Sequence, residues 1–174
     1  MINKHFFNRN ADLVAKELLG KILIVKINEK EFSSKIIETE AYFDEKDPAS
    51  RACHNGDLRK TMMMEGGTIL IYGIHNNWMF NIVSGKKEKA EAVLIRALEP
   101  LNFKGRCNGP GLLTKSLMIY KKFHKKNIIN NEIISIMDNE EIFEIEESYR
   151  IGVRKDLKKK MRFYVKGNKF VSRI

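Results

Sequence analysis

The sequence predicts an α+β fold, a single domain with a largely antiparallel, curved β-sheet and short flanking helices. Three observations favour it. One amphipathic helix pattern lies near the N-terminus, many short strand-like runs follow it, and only short helical patterns separate those runs. The 174 residues show no internal repeat and no low-complexity linker, so residues 1–174 are expected to form one domain.

The first elements are a helix and two strands. A helix is expected from Asn10 to Leu19, because Asn10 is a favourable N-cap and Gly20 stands where a C′ glycine ends a helix. Strands are expected at 21–27 and 31–42, joined by a short polar turn.

The middle of the chain consists of a polar segment and three strands. Residues 43–65 are mostly polar, and Asp47-Pro48-Ala49-Ser50 is their best turn or cap signal. Strands are expected at 68–72 and 78–83, around a hairpin-like loop. The apolar run 92–98 predicts a buried strand that Pro100 stops.

The last third begins with a turn at 108–111 that leads into a short helix at 112–118. Three more strands are expected after it, at 142–145, 151–153 and 161–165.

The charge is strongly basic. Lys and Arg total 32 against 22 Asp and Glu, which gives a net charge of +10. This excess favours a polyanionic partner such as nucleic acid or an anionic membrane. The alternative is a general enrichment in lysine on solvated faces, and composition leaves both readings open.

Metal, disulfide and membrane signals are weak. Cys53 and Cys107 form no CxxC and no Cys/His ligand spacing, so neither a zinc site nor a disulfide framework is expected. No run approaches 18 apolar residues, and the N-terminus leads into no signal-type apolar core. A soluble, cytoplasmic protein with reduced thiols is expected, without membrane contact.

The strand at 31–42 carries the most informative side chains. Glu38, Glu40 and Tyr42 project from one face, because strand side chains alternate with period two. Carboxylates on an apolar strand are costly to bury without a purpose. A carboxylate that activates water beside a ring that grips a flat ligand fits this pattern; an exposed edge-strand Glu with a packed Tyr is the alternative.

Arg96 is a second polar residue within an apolar strand. An unpaired Arg there would be expensive, so it needs an anion, which Glu40 or a bound phosphate could supply. A structural ion pair with Glu99 or Glu38 is the alternative.

Further candidates lie on the strands around the hairpin. Asn81 could read the edge of a heterocycle or bond loop backbone. Tyr72 could form a second stacking wall opposite Tyr42, or belong to the core. The loop at 75–78 could probe a groove or fill a gap in a base stack, or form a polar turn with Trp78 in the core.

Taken in their order along the sequence, these features make nearly the whole chain resemble the alkyladenine (3-methyladenine) DNA glycosylase family. The most specific combination is Glu-Thr-Glu-Ala-Tyr at 38–42, Arg-Ala-Leu-Glu-Pro at 96–100 and Gly-Pro-Gly at 109–111. The other matching segments are Phe7-Asn8-Arg9, residues 14–21, Asp47-Pro48-Ala49-Ser50, Gly67-Thr68, Tyr72, Asn81 and Arg162-Phe163-Tyr164-Val165 with Gly167.

The resemblance implies a role for each matching site residue. Glu40 would be the general base that activates water, and Arg96 would help to hold that water and a neighbouring phosphate. Tyr42 and Tyr72 would sandwich the flipped base. Asn81 would lie at the purine edge and disfavour normal guanine, whose 2-amino group would clash.

The resemblance also implies an activity and a partner. The protein would be a monofunctional glycosylase of base excision repair, acting without metal or cofactor on double-stranded DNA with an alkylated or deaminated purine, of the 3-methyladenine type or hypoxanthine. It would leave an abasic site. A monomer is expected, associated with the nucleoid through DNA. The alternative is a non-catalytic binder of damaged nucleic acid with the same fold.

Two positions differ from the family. Arg51 stands where the family usually has His, with His54 three residues later, so either Arg51 points outwards to phosphate or the substrate range differs. The hairpin is about one residue shorter, and Ile74 or His75 is the expected intercalating residue.

Overall fold

A long central strand organises the computed structural model, which describes residues 2–173. This strand, β2 (Lys30–Tyr42), has 13 residues and three partners. On one side, β1 (Ile22–Ile27) pairs with its first half and β8 (Arg162–Val165) with its second half. On the other side lies β5 (Ala92–Pro100). The second half of β2 is therefore flanked by strands on both sides.

Four more strands widen this sheet: β3 (Ile69–Ile74), β4 (Asn77–Val83), β6 (Ile134–Met137) and β7 (Ile145–Ser148). The strand order is β3-β4-β5-β2-β1-β6, and β7 pairs with β8. Every pairing between these strands is antiparallel.

The helices are short. They are α1 (Lys4–Phe7), α2 (Ala11–Leu18), α3 (Asp57–Met62) and α4 (Pro110–Ser116), with 3-10 turns at Arg51–Cys53 and Lys121–Phe123. None of the helices within residues 2–173 is long and apolar enough to cross a membrane. A curved antiparallel sheet with few short helices is the predicted α+β fold, which is confirmed.

The helix predicted at 10–19 is α2. Gly20 follows it with a φ of +82°, the left-handed conformation that favours glycine at a helix end. Asn10 occupies the N-cap position, but its side chain makes no capping hydrogen bond. The buried Glu91 caps the helix instead, because its Oε2 accepts a hydrogen bond of 2.7 Å from the backbone N of Ala11.

The two hairpins have two-residue turns. Asn28 and Glu29 join β1 to β2, and His75 and Asn76 join β3 to β4; all four have φ between +46° and +64°. Positive φ at both central residues is the type I′ pattern, whose twist suits a hairpin. The strands of the second hairpin therefore extend further than predicted, and its loop is shorter.

The sheet separates two apolar layers. α2 packs against one face and contributes Val14 and Leu18 to the main core. The opposite face carries a smaller apolar cluster that includes Met62 and Leu70, and Tyr42 packs against this cluster. The second face is the one that carries the predicted site residues.

Two register shifts interrupt the β2–β5 pairing. They leave Ile37 on β2 and Arg96 on β5 without a direct partner across the pair. Such bulges re-aim side chains and bend strands. Here they bring Arg96 to the face of β2 that carries Glu38 and Glu40.

Some predicted elements were wrong. Residues 151–153 form no strand, because the Ile151 backbone N donates to Glu40 instead of to a neighbouring strand. Of the strand predicted at 142–145, only Ile145 is in a strand, and Ile142 is 97% exposed. The polar segment 43–65 contains α3, and the strand β6 was missed.

Candidate active site

Glu40 is a fully buried carboxylate with two hydrogen-bond donors and one ion-pair partner. Its Oε2 accepts a hydrogen bond of 2.7 Å from the Tyr42 hydroxyl, and its Oε1 accepts one of 2.8 Å from the Ile151 backbone N. Arg96 Nη1 lies 3.4 Å from the same Oε1. An ionised carboxylate has about four acceptor positions. One position is therefore left, which suits a water molecule.

The surroundings of Glu40 shift its protonation equilibrium. Burial raises the pKa of Glu40 above its ordinary value, and the charge of Arg96 with the hydrogen bonds from Ile151 and Tyr42 limits that rise. Burial and the nearby Glu40 carboxylate raise the pKa of Tyr42 well above 10.0. Tyr42 therefore stays protonated and donates a hydrogen bond to Glu40. The raised pKa of Glu40 makes its carboxylate a better proton acceptor.

Glu38 has different partners. Arg96 Nε and Arg162 Nε donate to its Oε1 at 3.1 and 2.7 Å, and Ser172 donates to both of its oxygens, from Oγ and from the backbone N. Glu38 is fully buried among these groups. It therefore connects the C-terminal segment to the sheet. Arg96 pairs with Glu38, as the structural alternative predicted, and it also pairs with Glu40.

A narrow slot opens between the two tyrosines. It is lined by Tyr42, Arg51, Met62, Leu70, Tyr72, Asn81 and Ala92. The space inside that water can reach is about 10 Å³, room for roughly one water molecule. A flat aromatic ligand would therefore have to move a side chain of the slot in order to enter.

Asn81 lies at the inner wall of this slot and is 2% exposed. Its Nδ2 donates to the backbone oxygens of Leu70 and Met79 at 3.2 and 3.3 Å. Since both donors are used, only the Oδ1 oxygen is left for a ligand. Asn81 therefore bonds the backbone, as the structural alternative predicted. Its side chain also lines the slot.

Arg51 is the side chain at the mouth. Its guanidinium carbon lies 4.8 Å from the centre of the Tyr72 ring, which is a cation–π contact. The 3-10 turn that carries it is capped by Ser50, whose Oγ accepts a hydrogen bond from the Ala52 backbone N. His54 is exposed and does not line the slot.

Sequence reasoning missed Arg150, which supports Tyr42 from behind. Its guanidinium carbon lies 4.5 Å from the centre of the Tyr42 ring. Its two Nη atoms donate to the two carboxylate oxygens of Asp47, both at 2.7 Å, and its Nε donates to Asp156. Arg150 and Asp47 lie 103 residues apart in sequence, so no local pattern joins them.

The β3–β4 hairpin presents different residues on its two faces. Ile74 lies on the face of Tyr72, because both alternate along β3, whereas Trp78 pairs with Gly73 on the other face. Trp78 is 38% exposed, so the alternative that buried it in the core was wrong. Gly111 permits the close approach of α4 to the hairpin, because a Cβ there would lie 2.7 Å from the Asn77 side chain.

Within residues 2–173, no three His, Cys, Asp or Glu side chains gather as a ligand set. Both cysteines are free.

The fold and the site together define a class: an α+β protein whose antiparallel sheet holds a buried carboxylate–arginine pair beside a slot walled by aromatic rings. The family model of methylpurine-DNA glycosylase matches residues 5–169. The chain belongs to this family.

Several proteins with the provisional name 3-methyladenine DNA glycosylase are similar over their full length. That of Borrelia garinii subsp. bavariensis is 42% identical over 190 aligned positions, which cover 99% of this chain and 100% of the relative. That of Clostridium novyi is 38% identical, covering 99% and 98% of the two chains. That of Aeropyrum pernix is 37% identical, covering 99% and 93% of the two chains.

Proposed function

We propose that this protein is a monofunctional DNA glycosylase, which flips a damaged purine out of duplex DNA and hydrolyses its N-glycosidic bond. The observation that carries the proposal is Glu40, a buried carboxylate with a raised pKa and one unused acceptor position beside a ring-lined slot. The names of the relatives and the family membership support the same activity.

The proposed reaction needs one water and one carboxylate. Glu40 accepts a proton from the water while the water oxygen forms a bond to C1′ of the deoxyribose. The C1′–N9 bond breaks, and its electron pair leaves with the purine. An alkylated purine cation departs as a neutral base, so a second carboxylic acid is not required. Tyr42 and Tyr72 would hold the flipped base between their rings.

Arg96 would keep Glu40 ionised and correctly oriented. It contacts Glu38 through Nε, Glu40 through Nη1 and the Ser172 hydroxyl through Nη2. A guanidinium has five N–H groups. Two are therefore left for the attacking water or a phosphate next to the flipped nucleotide.

DNA would approach the face that carries the slot. Ile74 shares this face with Tyr72 and is the better candidate of the two for filling the gap in the base stack, because His75 lies in the turn itself. The net charge of +10 would supply sequence-independent affinity for phosphates.

Base release tests this function. Duplexes that contain 3-methyladenine, hypoxanthine or ethenoadenine are incubated with the protein in EDTA, and free base and abasic sites are measured. We expect release of at least one of these bases, and no covalent DNA adduct after borohydride treatment. Tight binding to damaged DNA without any base release would instead show a non-catalytic binder.

A basic segment along the edge of β3 is the expected phosphate contact. The chain at 121–126 runs along the outer edge of β3, where Lys125 N and Lys126 O bond the backbone of Ile69. Its four lysines are exposed. β3 also carries Tyr72, so the segment runs along the same edge strand that supplies one wall of the slot.

Replacing two of these lysines should weaken DNA binding and its salt dependence. For Lys121→Gln with Lys122→Gln, we expect the slope of log K against log salt to become shallower by about 2, because each lost phosphate contact contributes about 1. Binding is measured by fluorescence anisotropy from low to moderate salt.

The matched control removes two charges at the other end of the sheet. Lys26 and Lys30 flank the β1–β2 turn and are exposed, about 40 Å from Tyr42 along β2. Lys26→Gln with Lys30→Gln should leave the slope within about 0.5 of the wild type. Equal changes in both double variants would contradict a specific DNA contact at 121–126.

A further inference from the structure

The stacking surface of Tyr72 is already covered by a cation. The Arg51 guanidinium lies over this ring at 4.8 Å, and the remaining slot has room for about one water. A purine that stacks on Tyr72 must therefore displace Arg51. The charge of this residue then acts on every base that enters.

The backbone of Arg51 cannot move far when the base enters. Ser50 caps the 3-10 turn, and its Oγ donates to the Phe43 backbone oxygen at the end of β2. Asp47 fixes the same loop by accepting hydrogen bonds from the backbone N of Phe43 and Ala49. The guanidinium can therefore move aside only by rotation of the Arg51 side chain, which keeps it within reach of the base.

We propose that Arg51 makes this site select neutral purine lesions with hydrogen-bond acceptors, such as hypoxanthine, over cationic alkylated purines. This inference rests on the proposed glycosylase function and names its substrate class. A guanidinium repels a cationic base at short range, whereas it donates to O6 and N7 of hypoxanthine.

The same charge favours the chemical step for a neutral base. When the C1′–N9 bond of a hypoxanthine nucleotide breaks, the electron pair stays on N9 and the base becomes an anion, which then takes a proton from solvent. A cation at the base edge stabilises this developing negative charge. A cationic alkylated purine leaves as a neutral molecule and gains nothing from Arg51.

Among residues 2–173, Arg51 is the only charged side chain that lines the slot. Arg150, on the Tyr42 ring, is paired with Asp47 and Asp156. Glu40 lies beside the deoxyribose end in the proposed reaction. The selection between neutral and cationic bases is therefore assigned to Arg51.

Single-turnover release from two duplexes tests this inference, one with hypoxanthine and one with 3-methyladenine. Arg51→Gln should lower the ratio of the hypoxanthine rate to the 3-methyladenine rate by about 100-fold, roughly tenfold from each substrate. Arg51→Lys, which keeps the charge, should stay within about fivefold of the wild-type ratio. His54→Gln, an exposed neighbour outside the slot, should leave the ratio unchanged.

The outcomes separate the two proposals. A wild type that releases neither base overturns the glycosylase function and the inference with it. Release of both bases by the wild type with the same ratio in Arg51→Gln, or release of 3-methyladenine alone, overturns the inference but leaves the glycosylase function in place. An equal fall of both rates in Arg51→Gln shows a phosphate contact instead and also overturns it. Thermal melting of each variant verifies that the protein is folded.

Discussion

Glu40→Gln should reduce base release by between about 100-fold and 10,000-fold, because an amide cannot accept the proton of the attacking water. The folded structure should tolerate the change. A Gln side chain can still accept a hydrogen bond from the Ile151 N and donate one to the Tyr42 oxygen, so both contacts are kept, the second with its direction reversed. DNA binding should persist. Single-turnover release and anisotropy binding measure the two effects separately.

The stability of this variant should equal or exceed that of the wild type. The pKa of Glu40 is raised in the folded state, so the folded protein keeps the proton over a pH range in which the unfolded chain has lost it. The free energy of unfolding therefore falls as pH rises through that range. Gln does not ionise, so this loss is absent. In the wild type, activity should fall on the acid side at a higher pH than an ordinary Glu would give, because the pKa of Glu40 is raised.

Glu38→Gln is the matched control, two residues away on the same face of β2. It leaves the buried Arg96 and Arg162 without their shared carboxylate, so we expect a loss of about 3 kcal/mol and a drop in Tm of roughly 10 °C. Specific activity of the folded fraction should fall much less than in Glu40→Gln. The reverse pattern, an active Glu40→Gln and an inactive but stable Glu38→Gln, would transfer the base role to Glu38.

Arg150→Met should be the most destabilising single change at the site, at about 3–5 kcal/mol in the free energy of unfolding. The substitution leaves Asp47, which is 1% exposed, without its bidentate partner, and uncovers one face of the Tyr42 ring. Urea unfolding monitored by circular dichroism measures the loss. Arg154→Met, an exposed arginine in the same loop, should change stability by no more than about 0.5 kcal/mol.

Acid unfolding gives an independent readout of the Arg150–Asp47 pair. Burial alone would raise the pKa of Asp47, but the hydrogen bonds from Arg150 and from backbone N atoms outweigh it and hold the pKa below 3.8. The pair therefore stabilises the protein above the unfolded pKa, and this contribution is lost as pH falls through the lower folded value. Arg150→Met should remove that acid-dependent loss. If the double variant Asp47→Asn with Arg150→Met is no more stable than Arg150→Met alone, the unpaired charge of Asp47 does not cause the loss of stability.

The sequence predicted correctly which side chains share one face of β2 and which buried side chain needs a charged partner. The period-two alternation placed Glu38, Glu40 and Tyr42 on one face, and the apolar context of Arg96 required a nearby anion; both were observed. The alternatives at Arg96 were not exclusive, because one guanidinium contacts both carboxylates. A local pattern could not show this, since two register shifts of the β2–β5 pair bring Arg96 to both.

The sequence by itself determined the α+β class, the strand that carries Glu40, and the resemblance to the family to which the chain belongs. These depend on periodicity and short motifs, which lie in continuous sequence. Only the tertiary structure decided that Ile151 holds Glu40, that Arg150 backs Tyr42, and that Arg51 covers Tyr72. The first two contacts join a late loop to β2 over more than 100 residues, and the third depends on which rotamer fills a slot. Such contacts arise from the folding of the chain in space, so only the folded structure contains them.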